Sequence, residues 1–327
     1  MQHFWRRWRA LWHPDRYHGW GRERRYFEGW YYKLVSPDGS KAVAIIPGIS
    51  RGADAADQHA FIQLLDGKAC RTFYYRFPVA DFQPSSQEFA LQLGPNYFSR
   101  DTLRLDLPDL QGELALRDFH PWPRSLGAPG IMGWYSFVPF MECYHGVVSL
   151  HHQLEGQLTL YNESIDFTGG IGYGEKDWGR SFPSSWIWMQ SNHFGLAEPT
   201  SLMVSIARIP WLGSHFVGYI AGFLFQGHLY RFATYLGTRL EVLLIGRRVE
   251  IRLTNRHYRL EVSGQPAEGG NLVSPIQGQM TGKVNESLQG QLHIRFFLHD
   301  ELAFEGTGQH AGLELAGPVE EELAGQV

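Results

Sequence analysis

The chain has 327 residues, a formal net charge of −4, and 43% hydrophobic and 14% aromatic residues. That length suits two domains of roughly 150 residues each, and the weak negative charge gives the molecule as a whole no affinity for nucleic acid. No uninterrupted run of about 18 apolar residues occurs, so no membrane-spanning helix is predicted.

Residues 1–25 are basic and aromatic. Phe4, Trp5, Trp8, Leu11 and Trp12 recur at the spacing of one helical face, with Arg6, Arg7 and Arg9 among or opposite them. Two readings stay open for this predicted helix. It lies in a membrane interface through residues 4–12, or it plugs one end of a barrel with its aromatics inside. The same segment lacks the continuous apolar stretch of a signal peptide, so the expected location is cytoplasmic, with peripheral contact at the inner membrane face as the variant.

From residue 26 onward the pattern is β. Strands are predicted over 26–36 and 41–49, joined by the turn residues Pro37-Asp38-Gly39-Ser40. Further short runs follow at 60–65, 71–77, 89–93, 102–107, 113–119, 134–140, 146–152 and 157–161. After the segment 172–179 come 185–191, 202–208, 216–225, 229–236, 240–245, 249–254, 258–263, 291–298 and 302–307. Many short strands separated by turn signals indicate a sandwich or barrel. The Gly- and Pro-rich stretch 264–275 reads as a loop.

The chain also echoes itself. Trp30-Tyr31-Tyr32 and Trp186-Ile187-Trp188 open similar runs, and Tyr75-Arg76-Phe77 is matched by Tyr230-Arg231-Phe232. The offset is about 155 residues, close to half the chain, as two copies of one unit would give. The expected organisation is an N-terminal segment 1–25, a first β domain 26–175 and a second 176–327. The fold class is all-β: two tandem β-barrels or strongly curved sheets of lipocalin size, with a short N-terminal helix. Cys70 and Cys143 form no CxxC pair or zinc pattern and are expected as free thiols.

Two segments combine several Trp and charged residues in a specific order. The first is Pro14-Asp15-Arg16-Tyr17-His18-Gly19 followed by Tyr26-Phe27-Glu28-Gly29-Trp30-Tyr31-Tyr32-Lys33. The second is Gly172-Tyr173-Gly174-Glu175-Lys176-Asp177-Trp178-Gly179, then Phe182-Pro183 and Trp186-Ile187-Trp188-Met189-Gln190-Ser191-Asn192. Together they resemble the signatures of the tocopherol cyclase-like family, with distant similarity to carotenoid hydratases and lipocalin-like AttH-type proteins. The resemblance implies a tandem lipocalin-like fold and a hydrophobic small-molecule partner, a prenylated quinol or other isoprenoid lipid. It also implies acid-catalysed cyclisation or hydration of an isoprenoid alkene, a reaction that needs no cofactor.

Such a site needs a proton donor, a wall that tolerates a cation, and an acceptor for the phenolic proton. Glu175 and Asp177 would share one face of a strand, where two close carboxyls share a proton. Lys176 would point the other way; the alternative is a charged strand edge at a domain junction, with Lys176 and Arg180 as ion-pair partners. Glu28, in an aromatic strand, is the second acid candidate. Trp30, Tyr31, Tyr173, Trp178, Trp186 and Trp188 either line the cavity and stabilise a cation or pack as ordinary core. Gln190 and Asn192 share a face and either orient a phenol or bond backbone at a barrel rim. His145 and the pair His151-His152 are candidate bases among 15 histidines. No HExxH, close His/Asp cluster, phosphate-cradling Gly loop or Gly-x-Ser-x-Gly occurs, so neither metal nor nucleotide is expected. The competing reading of the same aromatic cavity is a non-catalytic carrier of a lipid or quinol.

Overall fold

The computed structural model describes residues 2–325 and is almost wholly antiparallel β. Helix α1 (Gln2–Ala10) precedes the strands. The first sheet contains β1 (Tyr26–Val35), β2 (Ala42–Arg51), β3 (His59–Asp66), β4 (Arg71–Phe77), β5 (Phe82–Pro84), β6 (Ala90–Leu93), β7 (Asn96–Ser99), β8 (Thr102–Asp106), β9 (Leu110–Arg117), β10 (Cys143–Leu160), β11 (Glu163–Asp166) and β12 (Ile171–Gly179). The second contains β13 (Trp186–Ser191), β14 (Ser201–Trp211), β15 (Ser214–Phe225), β16 (His228–Ala233), β17 (Arg239–Ile245), β18 (Arg248–Thr254), β19 (Tyr258–Gln265), β20 (Gly270–Ile276), β21 (Gln279–Leu298) and β22 (Glu301–Ala316). A last turn of helix, α2, covers Val319–Glu322.

The chain divides into two compact units. The first runs to Asp66, resumes over Thr72–Phe182 and takes in Val273–Lys283; the second holds Gly67–Arg71, Pro183–Leu272 and the described residues from Val284 on.

The two sheets share one plan. In the first the hydrogen-bonded order is β4-β3-β2-β1-β12-β10-β9-β8-β7-β6-β5, and in the second β16-β15-β14-β13-β22-β21-β19-β18-β17. Each opens with a four-strand meander whose first strand pairs with the last strand of the same sheet, β1 with β12 and β13 with β22. Trp30 and Trp186 lie on those equivalent first strands, which accounts for the half-chain echo in the sequence.

Neither path closes on itself, so the units are strongly curved sheets. The curl of the first is visible in its core. Trp30 on β1 stacks on Phe89 beside β6 at 5.6 Å, and Tyr32 stacks on Phe98 of β7 at 6.2 Å, although these strands are far apart in the hydrogen-bonded order. Tyr26, Trp30, Tyr32 and Leu34 of β1 join Val43, Ile45, Leu64, Leu114 and Leu158 in one apolar cluster. The second unit has its own cluster, with Ile187, Met189, Phe223, Phe232 and Phe296 at its centre.

Local chemistry explains the turns and three departures from the sequence pattern. The predicted turn at 37–40 forms, with Asp38 Oδ1 accepting from Ser36 Oγ at 2.6 Å and from the Ser40 backbone N–H at 3.0 Å. The aromatic run 134–140, expected as a strand, is a 3-10 turn (Gly133–Phe137) and a loop, because Gly133 takes φ +58° and Pro139 removes a ladder donor. The stretch 264–275, expected as a loop, is mostly strand: β19 reaches Gln265 and β20 pairs with β21. Its glycine signal has a steric meaning, since a Cβ on Gly269 would meet Glu286 O at 2.2 Å. The runs 146–152 and 157–161 fuse into β10, which bends at Gly156 (φ +123°). Cys70 and Cys143 are free thiols.

Helix α1 forms, but its aromatic side faces outward. Phe4, Trp5 and Trp8 are 55%, 57% and 45% exposed, while Ala10 is the buried residue. The barrel-plug reading of this segment is therefore corrected.

Candidate functional site: two charge clusters on opposite faces of one strand

Strand β12 lies between β1 and β10, so both its faces meet neighbouring side chains. Strand alternation sends Tyr173, Glu175 and Asp177 to one face and Lys176 and Trp178 to the other. Register sets Trp30 opposite Lys176, Tyr31 opposite Glu175 and His145 opposite Asp177.

On the core side, Lys176 and Glu28 form an ion pair in which both side chains are wholly buried. Glu28 also accepts from the backbone N–H groups of His18 at 2.8 Å and Gly19 at 3.0 Å, and from Tyr26 O–H at 2.5 Å. Lys176 Nζ donates to Arg16 O and to His18 Nδ1, the latter at 2.7 Å. It sits 4.6 Å from the Trp30 ring and 4.9 Å from that of Trp178, within cation–π range. His18 stacks on Trp178 at 4.0 Å and meets Ala10 O through Nε2 at 3.0 Å. Trp30 Nε1 donates to Asp15 O at 2.7 Å.

The two sequence signatures thus meet physically: the hook 14–19 is tied onto β1 and β12. Burial works against charge on Glu28, but Lys176 and the hydrogen bonds outweigh it and hold the carboxyl below its ordinary range. Burial pushes Lys176 down, against the pull of Glu28. Burial and Lys176 both lower His18, which is therefore neutral, accepting at Nδ1 and donating from Nε2. Glu28 is an ionised partner with every lone pair engaged, which is the opposite of a poised proton donor. Lys176 points away from Glu175 and Asp177, as strand alternation predicts, and pairs with Glu28 of the neighbouring β1, not with those two carboxylates as the charged-edge alternative had it.

The other face carries a chain of proton-bearing groups. His145 Nδ1 lies 2.8 Å from Asp177 Oδ1. His145 Nε2 lies 3.6 Å from Glu175 Oε2, and Glu175 Oε2 accepts from Tyr173 O–H at 2.5 Å. The sequence Asp177–His145–Glu175–Tyr173 runs from a partly exposed carboxylate to a fully buried phenol. Burial, reinforced by Glu175, pushes the Tyr173 phenol well up, so it stays protonated. Cys143, 3.9 Å from Asp177 Oδ1, is pushed up by burial and by Asp177 and stays a thiol. Tyr31 meets the Tyr173 ring edge-on at 6.5 Å. The His145 backbone N–H points to Met132 Sδ at 3.2 Å. Ligand atoms of His145, Glu175 and Asp177 lie within 4.8 Å of one another, so the donor set would also fit a divalent cation.

The structure thus gathers Tyr31, Tyr173, Glu175 and Asp177 in one cluster, and Glu28, Trp30 and Trp178 in another. Glu175 and Asp177 do not share a proton directly, because His145 lies between them. Trp186, Trp188, Gln190 and Asn192 belong to the second unit. There Trp186 Nε1 donates to Glu314 at 2.7 Å, and the Trp188 ring lies over Gly312, where a Cβ would come within 2.5 Å. Gln190 is fully buried with neither amide atom bonded to protein. The second unit's equivalent register pairs Trp186 with Ala316 and Ile187 with Leu315, so it repeats neither charge cluster.

The tocopherol cyclase-like family model matches residues 112–317. A chloroplastic tocopherol cyclase of Zea mays is 23% identical over 196 residues, which cover 57% of this chain and 41% of the maize protein. A probable chloroplastic tocopherol cyclase of Oryza sativa subsp. japonica is 21% identical over 196 residues, 57% of this chain and 42% of that protein. The match therefore spans less than half of either plant protein. Among solved structures, a putative AttH from Nitrosomonas europaea is similar at a TM-score of 0.51 and 17% identity, covering 89% of this chain and 92% of that one. CghA in complex with Sch210972 is similar at 0.55 and 14%, covering 89% of each. These two likenesses concern the fold. The family match takes in β12 and β10 with the whole Asp177–His145–Glu175–Tyr173 chain, and on it the protein belongs to the tocopherol cyclase-like family.

Proposed function

We propose that the protein is an enzyme that protonates an alkene of an apolar, prenylated substrate and closes a ring onto a neighbouring phenol, or adds water to the same cation. The observation that carries this reading is the series Asp177–His145–Glu175–Tyr173, hydrogen-bonded at its two ends and joined in the middle by a 3.6 Å ion-pair contact between His145 and Glu175. Glu175, as the carboxylic acid, gives its proton to the less substituted alkene carbon, leaving a tertiary cation. The faces of Tyr31 and Tyr173 suit a cation. The phenol oxygen forms the new C–O bond and returns its proton to Glu175, so cyclisation consumes no proton overall. His145 restores the acid form of Glu175 when the proton is lost to water, and Asp177 fixes the ring of His145. Membership of a family whose plant relatives are named tocopherol cyclases supports ring closure over hydration.

The test is turnover of a prenylated hydroquinone, with chromanol product read by mass spectrometry. Glu175→Gln and His145→Gln are expected to lower kcat by about 10²–10⁴-fold, the span of general acid–base catalysis, and Asp177→Asn less. Chelator-treated protein is expected to keep full activity. Full turnover by Glu175→Gln sinks the assignment, and loss on chelation transfers the trio to a metal. If the wild-type protein releases substrate unchanged but copurifies with a lipid in native mass spectrometry, the carrier reading replaces it. On that carrier reading, the buried Gln190 amide of the second unit, with neither atom bonded, suits a polar group of a lipid held within that unit, since leaving it unpaired is costly.

A further inference from the structure

We infer that α1, the loop 124–126 and the turn 133–140 form one docking surface for an anionic lipid bilayer. This does not rest on the proposed reaction. Three stretches of the first unit, distant in sequence, meet at Trp12. Its ring lies 5.5 Å from Trp8 and 5.7 Å from Phe137. Its Nε1 donates to Ser125 O at 3.2 Å, while Arg124 Nη1 donates to Trp12 O at 2.5 Å. Phe4 continues the row, stacked on Trp8 at 6.5 Å. The exposed apolar groups of this region are Phe4, Trp5, Trp8, Trp134, Phe137 and Phe140, with Leu126 on the adjoining loop 87% exposed.

The charge pattern selects the occupant. Within α1, at about 100° per residue, Phe4, Trp5 and Trp8 fill an arc of about 100°. Arg9 and Arg7 border that arc on either side, and the helix has no acidic residue. Arg6 lies behind it, 4.6 Å over the Trp20 ring. Arg22 is close enough to depress Arg7, after burial, and Arg124 borders the loop. A molecule with net charge −4 thus sets Arg7, Arg9 and Arg124 beside this exposed aromatic face. Long arginine stems beside interfacial Trp can reach lipid phosphates while the rings enter the acyl boundary. A second copy docked isologously would bring these arginines against one another, which disfavours it.

The experiment is cosedimentation of the full chain with vesicles of phosphatidylcholine and phosphatidylglycerol at about 3:1, and with phosphatidylcholine alone. Binding is expected to the anionic vesicles, to weaken when salt rises from about 0.1 to about 0.5 M, and to fall about tenfold or more in Phe4→Ser/Trp5→Ser/Trp8→Ser. Leu126→Ser, on a separate exposed loop, is expected to weaken binding by a smaller factor. Because the variants change exposed side chains, circular dichroism is expected to match the parent. Brominated lipid is expected to quench wild-type Trp fluorescence, a readout that needs no variant. No binding to anionic vesicles, equal binding to both vesicle types, or undiminished binding of the triple variant overturns the inference. So does concentration-dependent self-association that the triple variant abolishes while no vesicle binding is seen.

Discussion

At the scale of single residues, the buried pair Glu28–Lys176 is the group whose loss should cost most. Removing one partner leaves the other charge without compensation in a site closed to water, which costs about 3–5 kcal/mol. Glu28→Gln and Lys176→Met are each expected to lower the unfolding free energy, read by urea titration, by that amount, and the double variant to recover part of it. Additive losses would mean that the hook 14–19, not the pair, carries the stability. His151 and His152 set a second expectation. Burial, then the neighbouring histidine, lowers them to about 4 and about 3. Neutral in the fold and basic once unfolded, they contribute stability that is fully present above pH 6.5 and is lost as pH falls towards those values. Between about pH 6.5 and 5 the loss should reach about 2 kcal/mol per residue. His152→Leu should flatten that slope; an unchanged slope would show that another group titrates. Tyr173, Glu175 and Asp177 could be found from the sequence because alternation alone puts them on one face. His145 could be named only as one of 15 histidines, since its place between the carboxylates depends on how β10 registers with β12. Alternation also turns Lys176 away from Glu175 and Asp177, but its partner Glu28 is revealed only by the β1–β12 pairing.

At the scale of elements, glycine was the ambiguous letter. At 39 and 133 it marks turns, as composition suggests, but at 156 it lets a strand bend and at 172 it makes room. A Cβ on Gly172 would meet His152 Nε2 at 2.2 Å, and one on Gly156 would meet Glu113 O at 2.4 Å. Part of the motif 172–179 is therefore packing chemistry that happens to sit beside the acid. Gly156→Ala combines a positive φ with a backbone collision and should cost about 1–3 kcal/mol. It lies on β10 far from His145, so activity per folded molecule should not change. A melting temperature equal to the parent's would contradict the steric account. The run 134–140 misled for a related reason: its aromatics read as a strand because nothing in the sequence says that a face so apolar is left exposed.

At the scale of the molecule, two sheets of one plan carry different chemistry. Both keep the Trp-bearing first strand, but at its pairing with the last strand only the first copy carries charge, where Lys176 and Glu175 stand at the places taken by Ala316 and Leu315 in the second. The doubled plan was readable because the echoes lie on equivalent strands, whereas the asymmetry required the register. Pairing the first strand of a sheet with its last makes contacts between residues far apart in the chain, which slows folding. Refolding followed by Trp fluorescence is expected to include a phase of milliseconds to seconds; completion within microseconds would contradict this long-range closure.

The same closure has a consequence during synthesis. Glu28 leaves the ribosome roughly 150 residues before Lys176, which at about 5–20 residues per second is on the order of ten seconds or more. For that interval the hook 14–19 has no anchor, and the edge of β1 that β12 will cover lies open. A nascent chain is thus exposed to chaperones, or to pairing with another unfinished copy, until the last strand of its first repeat has been made.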